Sequence, residues 1–312
     1  MPTFIQQNGD PQIPPPYDLT GVSVRSFELA SDMGALGTLC DTLLNIGSLS
    51  QRGFQYRPVL PYVALEVLTY DRMTSTVPPF SGYGYIPQKE IYFRFLVCRY
   101  DLIGPFLVPA QLCNFFPFIV VDNAWSAFSG RDVLGIPKLI GSITQNIATD
   151  TSYTATLSLP VFKTYSATTE QALDTVISIK TGKTAGGAKS GPFPWPWVLF
   201  EELSSELSAP QLLWSEMIKP IGFSLVQMKQ FRDAQTITDA CFQGLVTADF
   251  FVTTATPYTL FESAEISLFP AASIDIAKSL GLGSTIPLSA ALAYELSCGM
   301  TFSNVRNQFV LP

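Results

Sequence analysis

The sequence predicts an α+β domain that is predominantly antiparallel β, and three observations carry that reading. Runs rich in branched and aromatic residues recur at strand length along the chain. Helical periodicity is confined to a few stretches between those runs, the pattern of an α+β chain. Hydrophobic residues make up 47% of the 312 against 14% charged, so the chain can bury a sizeable core and is not disordered as a whole.

Residues 1–18 read as a Pro-rich N-terminal arm. From Ser31 a helix is expected: Met33, Leu36, Leu39, Cys40, Leu43 and Leu44 recur at helical spacing, with Ser31 or Asp32 as cap and Gly47 as a stop. Strands are expected at 61–69, 90–98, 116–121 and 152–160, the last alternating strictly, and again around 173–180 and 222–231. Residues 102–121 carry no charge. They contain Pro105, Pro109 and Pro117, which a lone lipid-exposed helix tolerates poorly, so two buried strands joined by a turn are expected there. Residues 181–197 read as a loop. Its Gly-Lys-Thr is not a phosphate loop, because the glycine required five places before Gly182 is Ile177. Residues 198–218 look helical with a break near Pro210, and the tail from about 270 reads as two short helices, 274–282 and 289–296.

Composition also excludes whole classes of function. The net charge is −7 without a long basic run, so the electrostatic footprint of nucleic-acid binding is missing. Five widely spaced cysteines, odd in number and without a C-x-x-C, read as reduced thiols in a cytoplasmic protein. The first residues lack the basic and apolar regions of a secretory signal, and no membrane association is expected. There is no histidine, so Ser-His-Asp triads, Cys-His dyads and H-E-x-x-H zinc sites are all ruled out. Acid–base work must fall to Glu, Asp, Lys, Tyr or Cys.

One segment then stands out. In Ser129-Gly130-Arg131-Asp132-Val133-Leu134-Gly135-Ile136-Pro137-Lys138-Leu139 a single lysine sits among apolar residues, directly after a proline that fixes the backbone. Turned inward, such a lysine is desolvated and its ammonium form disfavoured, as an amine nucleophile requires. Turned outward, it is an ordinary surface lysine in a β-to-turn segment.

The run Gly130-Arg131-Asp132 followed by Gly135-Ile136-Pro137-Lys138 resembles the signature of the acetoacetate decarboxylase family, whose lysine forms a Schiff base. Ser31-Asp32-Met33-Gly34-Ala35-Leu36 resembles that family's early helix start, and Val63-Ala64-Leu65-Glu66-Val67 the strand bearing its first active-site glutamate. The resemblance spans roughly residues 20–265. It implies a barrel-like sheet core enclosing a pocket, peripheral helices and a domain over 19–268; residues 269–312, which have no clear family counterpart, are expected as a helical extension packed on that domain. It also implies a lyase without metal or organic cofactor, acting on a small-molecule carbonyl substrate, and a homo-oligomer. The catalytic residues by this resemblance are Lys138, Glu66 and Glu90, with Gln88 the alternative for the second glutamate. Arg25, Tyr85, Gln88, Trp125 and Phe128 are substrate-binding candidates. Arg131, Asp132 and Pro137 are structural support, the first two as a buried ion pair fixing the turn.

Two departures narrow the reading. The family's namesake enzyme has a second lysine directly after the nucleophile, whose charge activates it; here that residue is Leu139. The family's N-terminal arginine falls on Val22, so it is lost or displaced to Arg25. Three outcomes stay open: decarboxylation of a β-keto acid, an imine-based aldol or dehydratase reaction, and non-catalytic binding of a hydrophobic or carbonyl ligand.

Overall fold

In β1 (Tyr17–Ala30) apolar side chains alternate between two buried faces: Val22 and Val24 enter one core, Phe27 and Leu29 another. The same division runs through the middles of β3 (Tyr62–Ser75) and β4 (Ile86–Ile103), which is why 63–68 and 91–98 are apolar but for Glu66 and Arg94. The structure, a computed structural model, describes residue 5 and residues 12–147, 152–184, 222–256, 258–284, 286–303 and 305–311. The helix anticipated over 198–218 and most of the loop at 181–197 lie outside these residues.

The remaining strands of the main sheet are β2 (Phe54–Pro58), β5 (Phe106–Val121), β6 (Lys138–Ile140), β10 (Gly222–Arg232), β11 (Ala240–Ala255), β12 (Thr259–Leu260), β15 (Leu292–Phe302) and β16 (Arg306–Val310). Its order runs β15-β1-β3-β4-β5-β10-β11, and β11 bonds back to β15, so the sheet closes into a barrel. Neighbours are antiparallel except β10 and β6, which both run parallel to β5. A second, antiparallel sheet holds β7 (Ser142–Ile147), β8 (Tyr153–Val161), β9 (Ala172–Thr181), β13 (Ala264–Leu268) and β14 (Leu288–Ser289), in the order β14-β13-β9-β8-β7. Leu157, Ile177 and Ile266 of this sheet share one core with Leu65 and Phe93 of the barrel. Helix α1 (Met33–Leu43) adds Leu36 and Cys40 to that core.

Most expected elements occur, with longer strands. Asp32, not Ser31, caps α1 by accepting from the Ala35 amide at 2.8 Å. The helix ends at Leu43, before Gly47. Two short helices follow, α2 (Leu49–Arg52) and, after β5, α3 (Ala124–Asp132). Residues 102–121 do form two strands joined by a turn, at Gly104 with φ +60°. The tip is not buried, however: Ile103 and Phe106 are exposed, and burial begins near Cys113. No helix among the described residues is long and apolar enough to cross a membrane. All five cysteines are free, and only Cys241 is exposed.

The tail corrects the expectation of a helical extension. Residues 276–279 do form a short helix, α4 (Ile276–Ser279). Residues 292–302 instead form β15, hydrogen-bonded to β1 on one side and to β11 on the other. Ala, Leu and Glu favour a helix locally, but Tyr294, Leu296 and Cys298 alternate into the barrel and Ala293 into the other core. Tertiary pairing overrides propensity here. A chain ended after Ser289 would lack the stave that closes the ring, and we expect it to lose cooperative unfolding. A sharp thermal transition from that truncated chain, followed by circular dichroism, would contradict this.

Candidate active site

Lys138 is delivered by a short crossover from β5. The strand ends at Val121, and Asn123 caps α3 by accepting from the amides of Trp125 (3.0 Å) and Ser126 (3.3 Å). After α3 the chain turns through Gly135, at φ +68°, and returns as β6 with Lys138 opposite Ile119. Gly135 also lies against the Lys229 backbone, where a Cβ would come within 3.0 Å of its Cα. The lysine stem crosses the backbone of α3 at Gly130: a Cβ there would stand 2.4 Å from Lys138 Cδ and 2.8 Å from Cε. The motif's first glycine is thus the floor on which the lysine lies.

Lys138 is buried, and its Nζ donates to Ser126 Oγ at 2.8 Å. The same nitrogen stands 3.6 Å from Glu90 Oε1. Glu90 also accepts from Tyr70 Oη at 3.0 Å and, in a shorter contact, from Gln88 Nε2. Burial, reinforced by Glu90, drives the Tyr70 phenol well above the ordinary tyrosine range, so it stays protonated and donates.

Glu66 lines the same cavity in a different company. Its carboxylate is paired with Arg94 and accepts from Tyr92 Oη, and Ser26 Oγ donates to it at 3.1 Å. Ser26 also lies 3.4 Å from the carboxylate of Glu28, on the same face of β1. Glu28 is fully enclosed, and its pKa is pushed up to about 7, chiefly by burial, with Glu66 adding to the shift and Arg94 opposing it.

Residues named from the sequence divide accordingly. Lys138, Glu90 and Gln88 form one cluster, and Glu66 sits in the second. Arg25 lies on the opposite face of β1 with Phe27; it pairs with Glu295 at 3.2 Å and covers the Tyr153 ring at 4.4 Å, turned away from the cavity. Tyr85 is exposed under Arg72, and Trp125 and Phe128 are exposed on α3, so none of these is brought to the lysine. Pro137 is exposed in the turn just before Lys138. The expected Arg131–Asp132 ion pair does not occur among the described residues. Exposed Arg131 donates to the Lys138 carbonyl at 3.3 Å, and Asp132 accepts from Gln12 Nε2 at 2.8 Å. Consecutive residues on a helix diverge by about 100°, which separates their side chains.

The residues missed are Arg94, Tyr92, Tyr70 and Ser126. Alternation from Glu90 places 92 and 94 on the same inward face, so the strand period alone signals the first two. The buried position Val22 does face the barrel interior, but as an apolar residue; the arginine inside comes from β4.

These groups line a cavity of about 120 Å³ whose other walls are mostly apolar. Among the described residues no cluster of three potential metal ligands occurs. The segment ahead of β1 packs against this region: the Ile13 amide donates to Ser129 Oγ at 2.8 Å, and Ser75 Oγ to the Pro14 carbonyl at 2.8 Å.

The chain matches no protein-family model. No curated protein matches it in sequence either. Its fold is that of solved acetoacetate decarboxylases. The enzyme from Legionella pneumophila subsp. pneumophila str. Philadelphia 1 superposes with a TM-score of 0.61 at 13% identity, covering 98% of this chain and 92% of that one. An acetoacetate decarboxylase-like enzyme from Sphingomonas wittichii RW1 gives 0.57 at 13% identity over 93% and 91%. The enduracididine biosynthesis enzyme MppR, solved with pyruvate, gives 0.54 at 14% identity over 95% and 91%.

Two predictions follow from the packing. Gly130→Ala should cost about 1–3 kcal/mol in urea unfolding, because the lysine stem has nowhere to retreat; a variant as stable as the parent would show that the stem is not pressed on α3. Glu28 holds its proton more tightly folded than unfolded. Its contribution is therefore complete below its ordinary value of 4.5 and is lost as pH rises through about 7. Glu28→Gln, still beside Ser26, Glu66, Arg94 and Tyr294, should flatten that decline and gain relative to the parent above pH 7. Parallel pH–melting curves for the two proteins would refute it.

Proposed function

We propose that this protein is a Schiff-base-forming carbon–carbon lyase that decarboxylates a β-keto acid through an imine on Lys138. The observation that carries the reading is a buried amine facing a mostly apolar cavity, with a carboxylate 3.6 Å away and a hydroxyl at 2.8 Å.

The chemistry follows from those neighbours. Glu90 is placed to take the proton that leaves the ammonium group, freeing the nitrogen lone pair to attack a ketone carbon. The carbinolamine loses its hydroxyl as water, with Glu90 returning the proton, and leaves a cationic imine. Cleavage of the carboxylate bond sends its electron pair into that imine, so CO2 departs and a neutral enamine remains. Protonation at carbon and attack by water then release the ketone and restore the lysine. Tyr70 and Gln88 hold Glu90 in place. Glu66 is already engaged by Arg94, Tyr92 and Ser26, so its role in this reading is to fix the arginine and its charge within the cavity wall.

A second outcome, condensation instead of decarboxylation, keeps the imine. It is favoured by the likeness to MppR, which has also been solved with a condensation product of pyruvate and imidazole 4-carboxaldehyde. Evolution of CO2 separates the two.

Borohydride added with a panel of keto acids should leave a reduced adduct on Lys138, mapped by peptide mass. Lys138→Arg should abolish both adduct and turnover, since a guanidinium stays charged and is not nucleophilic. Adduct formation elsewhere, or activity retained by that variant, overturns the assignment.

A further inference from the structure

The cavity has two unlike sides. Lys138, Glu90, Glu66 and Arg94 occupy one, carried by β3, β4 and β6. Around the rest of the ring, strand register stacks two apolar rows across β1, β15 and β11. Leu19 is opposite Met300, and Met300 opposite Val252; Tyr17 is opposite Phe302, and Phe302 opposite Phe250. All six side chains line the cavity. The single polar atom among them, the Tyr17 hydroxyl, is already committed to the Ile13 carbonyl. Phe250 and Phe302 meet edge to face at 4.4 Å between centroids, which makes that part of the wall a firm surface. Leu19 and Phe302 are buried, whereas Val252, Met300 and Phe250 are only partly covered by protein.

A four-carbon keto acid leaves such a wall without a partner. Its carboxylate would gain nothing from the apolar rows, and the two cations lining the cavity are each already paired with a carboxylate. A wall of this kind favours a ligand that brings apolar surface to it. The rows are also long enough: each crosses three neighbouring strands about 5 Å apart, roughly the reach of an extended chain of six carbons.

We propose that the carbonyl compound attacked by Lys138 carries an apolar substituent of about six carbons, an alkyl chain or aryl ring, which lies on the Leu19–Met300–Val252 and Tyr17–Phe302–Phe250 rows. This rests on the imine chemistry assigned to Lys138 and sharpens its substrate class from small β-keto acids to tailed ones. Val252, Met300 and Phe250 are then specificity residues, and the length of the tail sets affinity.

The test is reductive trapping with cyanoborohydride, comparing 2-propanone with 2-octanone in the full chain. Trapping converts the imine to a secondary amine, so adduct mass on Lys138 against ketone concentration gives a half-saturation point for each. A buried methylene contributes about fourfold, so 2-octanone should half-saturate at a concentration at least about 30-fold lower. Val252→Thr and Met300→Gln, which keep size but add polarity, should each cut that ratio about fivefold or more. Thermal shift by 2-octanone without reductant is measured beside it. Adducts with equal half-saturation for both ketones overturn the tail assignment and leave the imine standing. No adduct with either ketone, but a melting shift by 2-octanone that Met300→Gln diminishes, overturns the imine and supports the apolar rows as the ligand surface. Neither adduct nor shift overturns both.

Discussion

An ammonium group withdrawn from water is tolerable only where acceptors replace the solvent, and Lys138 and its two partners come from three separate elements. Glu90 is supplied by β4 and Ser126 by α3, while β6 brings the lysine itself. α3 and β6 follow one another in the chain but β4 precedes them by a whole strand, so the arrangement exists only when β6 is paired into the barrel and α3 is seated. The second buried pair, Glu66 with Arg94, joins the neighbouring strands β3 and β4. Removing one member of such a pair strands the other charge, which is far more damaging than the pair is stabilising. The interior polar groups therefore act less as glue than as a demand for one geometry.

The two-sheet architecture makes that demand affordable. Because the middles of β3 and β4 are covered on both faces, one face can carry Glu66, Glu90 and Arg94 inward while the other is apolar from Val63 to Val67 and from Ile91 to Val97. Leu65, Val67, Ile91 and Phe93 pack toward the second sheet and α1, and supply the hydrophobic driving force that the polar interior does not.

Much of this was legible in the chain. The lack of histidine removed whole families of mechanism, and the isolated lysine behind Pro137 singled out the residue proposed as nucleophile. Strands were visible wherever branched and aromatic residues clustered. Three features were not, each for a physical reason. Arg25 and Ser26 differ by one position, and a strand sends neighbours to opposite faces, so matching an arginine by proximity in sequence chose the wrong side. Residues 289–296 have helix-favouring composition, and only their partners on β1 and β11 reveal a strand. Ser126 is an ordinary serine in a helix's first turn, and its meaning depends on a lysine twelve residues later folding back over Gly130.

The fastening of the N-terminal segment reaches further than its size suggests. Gln12 and Ile13 grip the far end of the helix whose first turn holds Ser126, and Pro14 is tied to the end of β3. The leading residues thus serve as a guy-rope for the support of the Lys138 nitrogen. Engineering at this end of the polypeptide has unequal consequences on either side of Gln12. Additions ahead of it leave these bonds in place, whereas trimming past it removes them from the helix that carries Ser126, some 120 residues downstream of the cut.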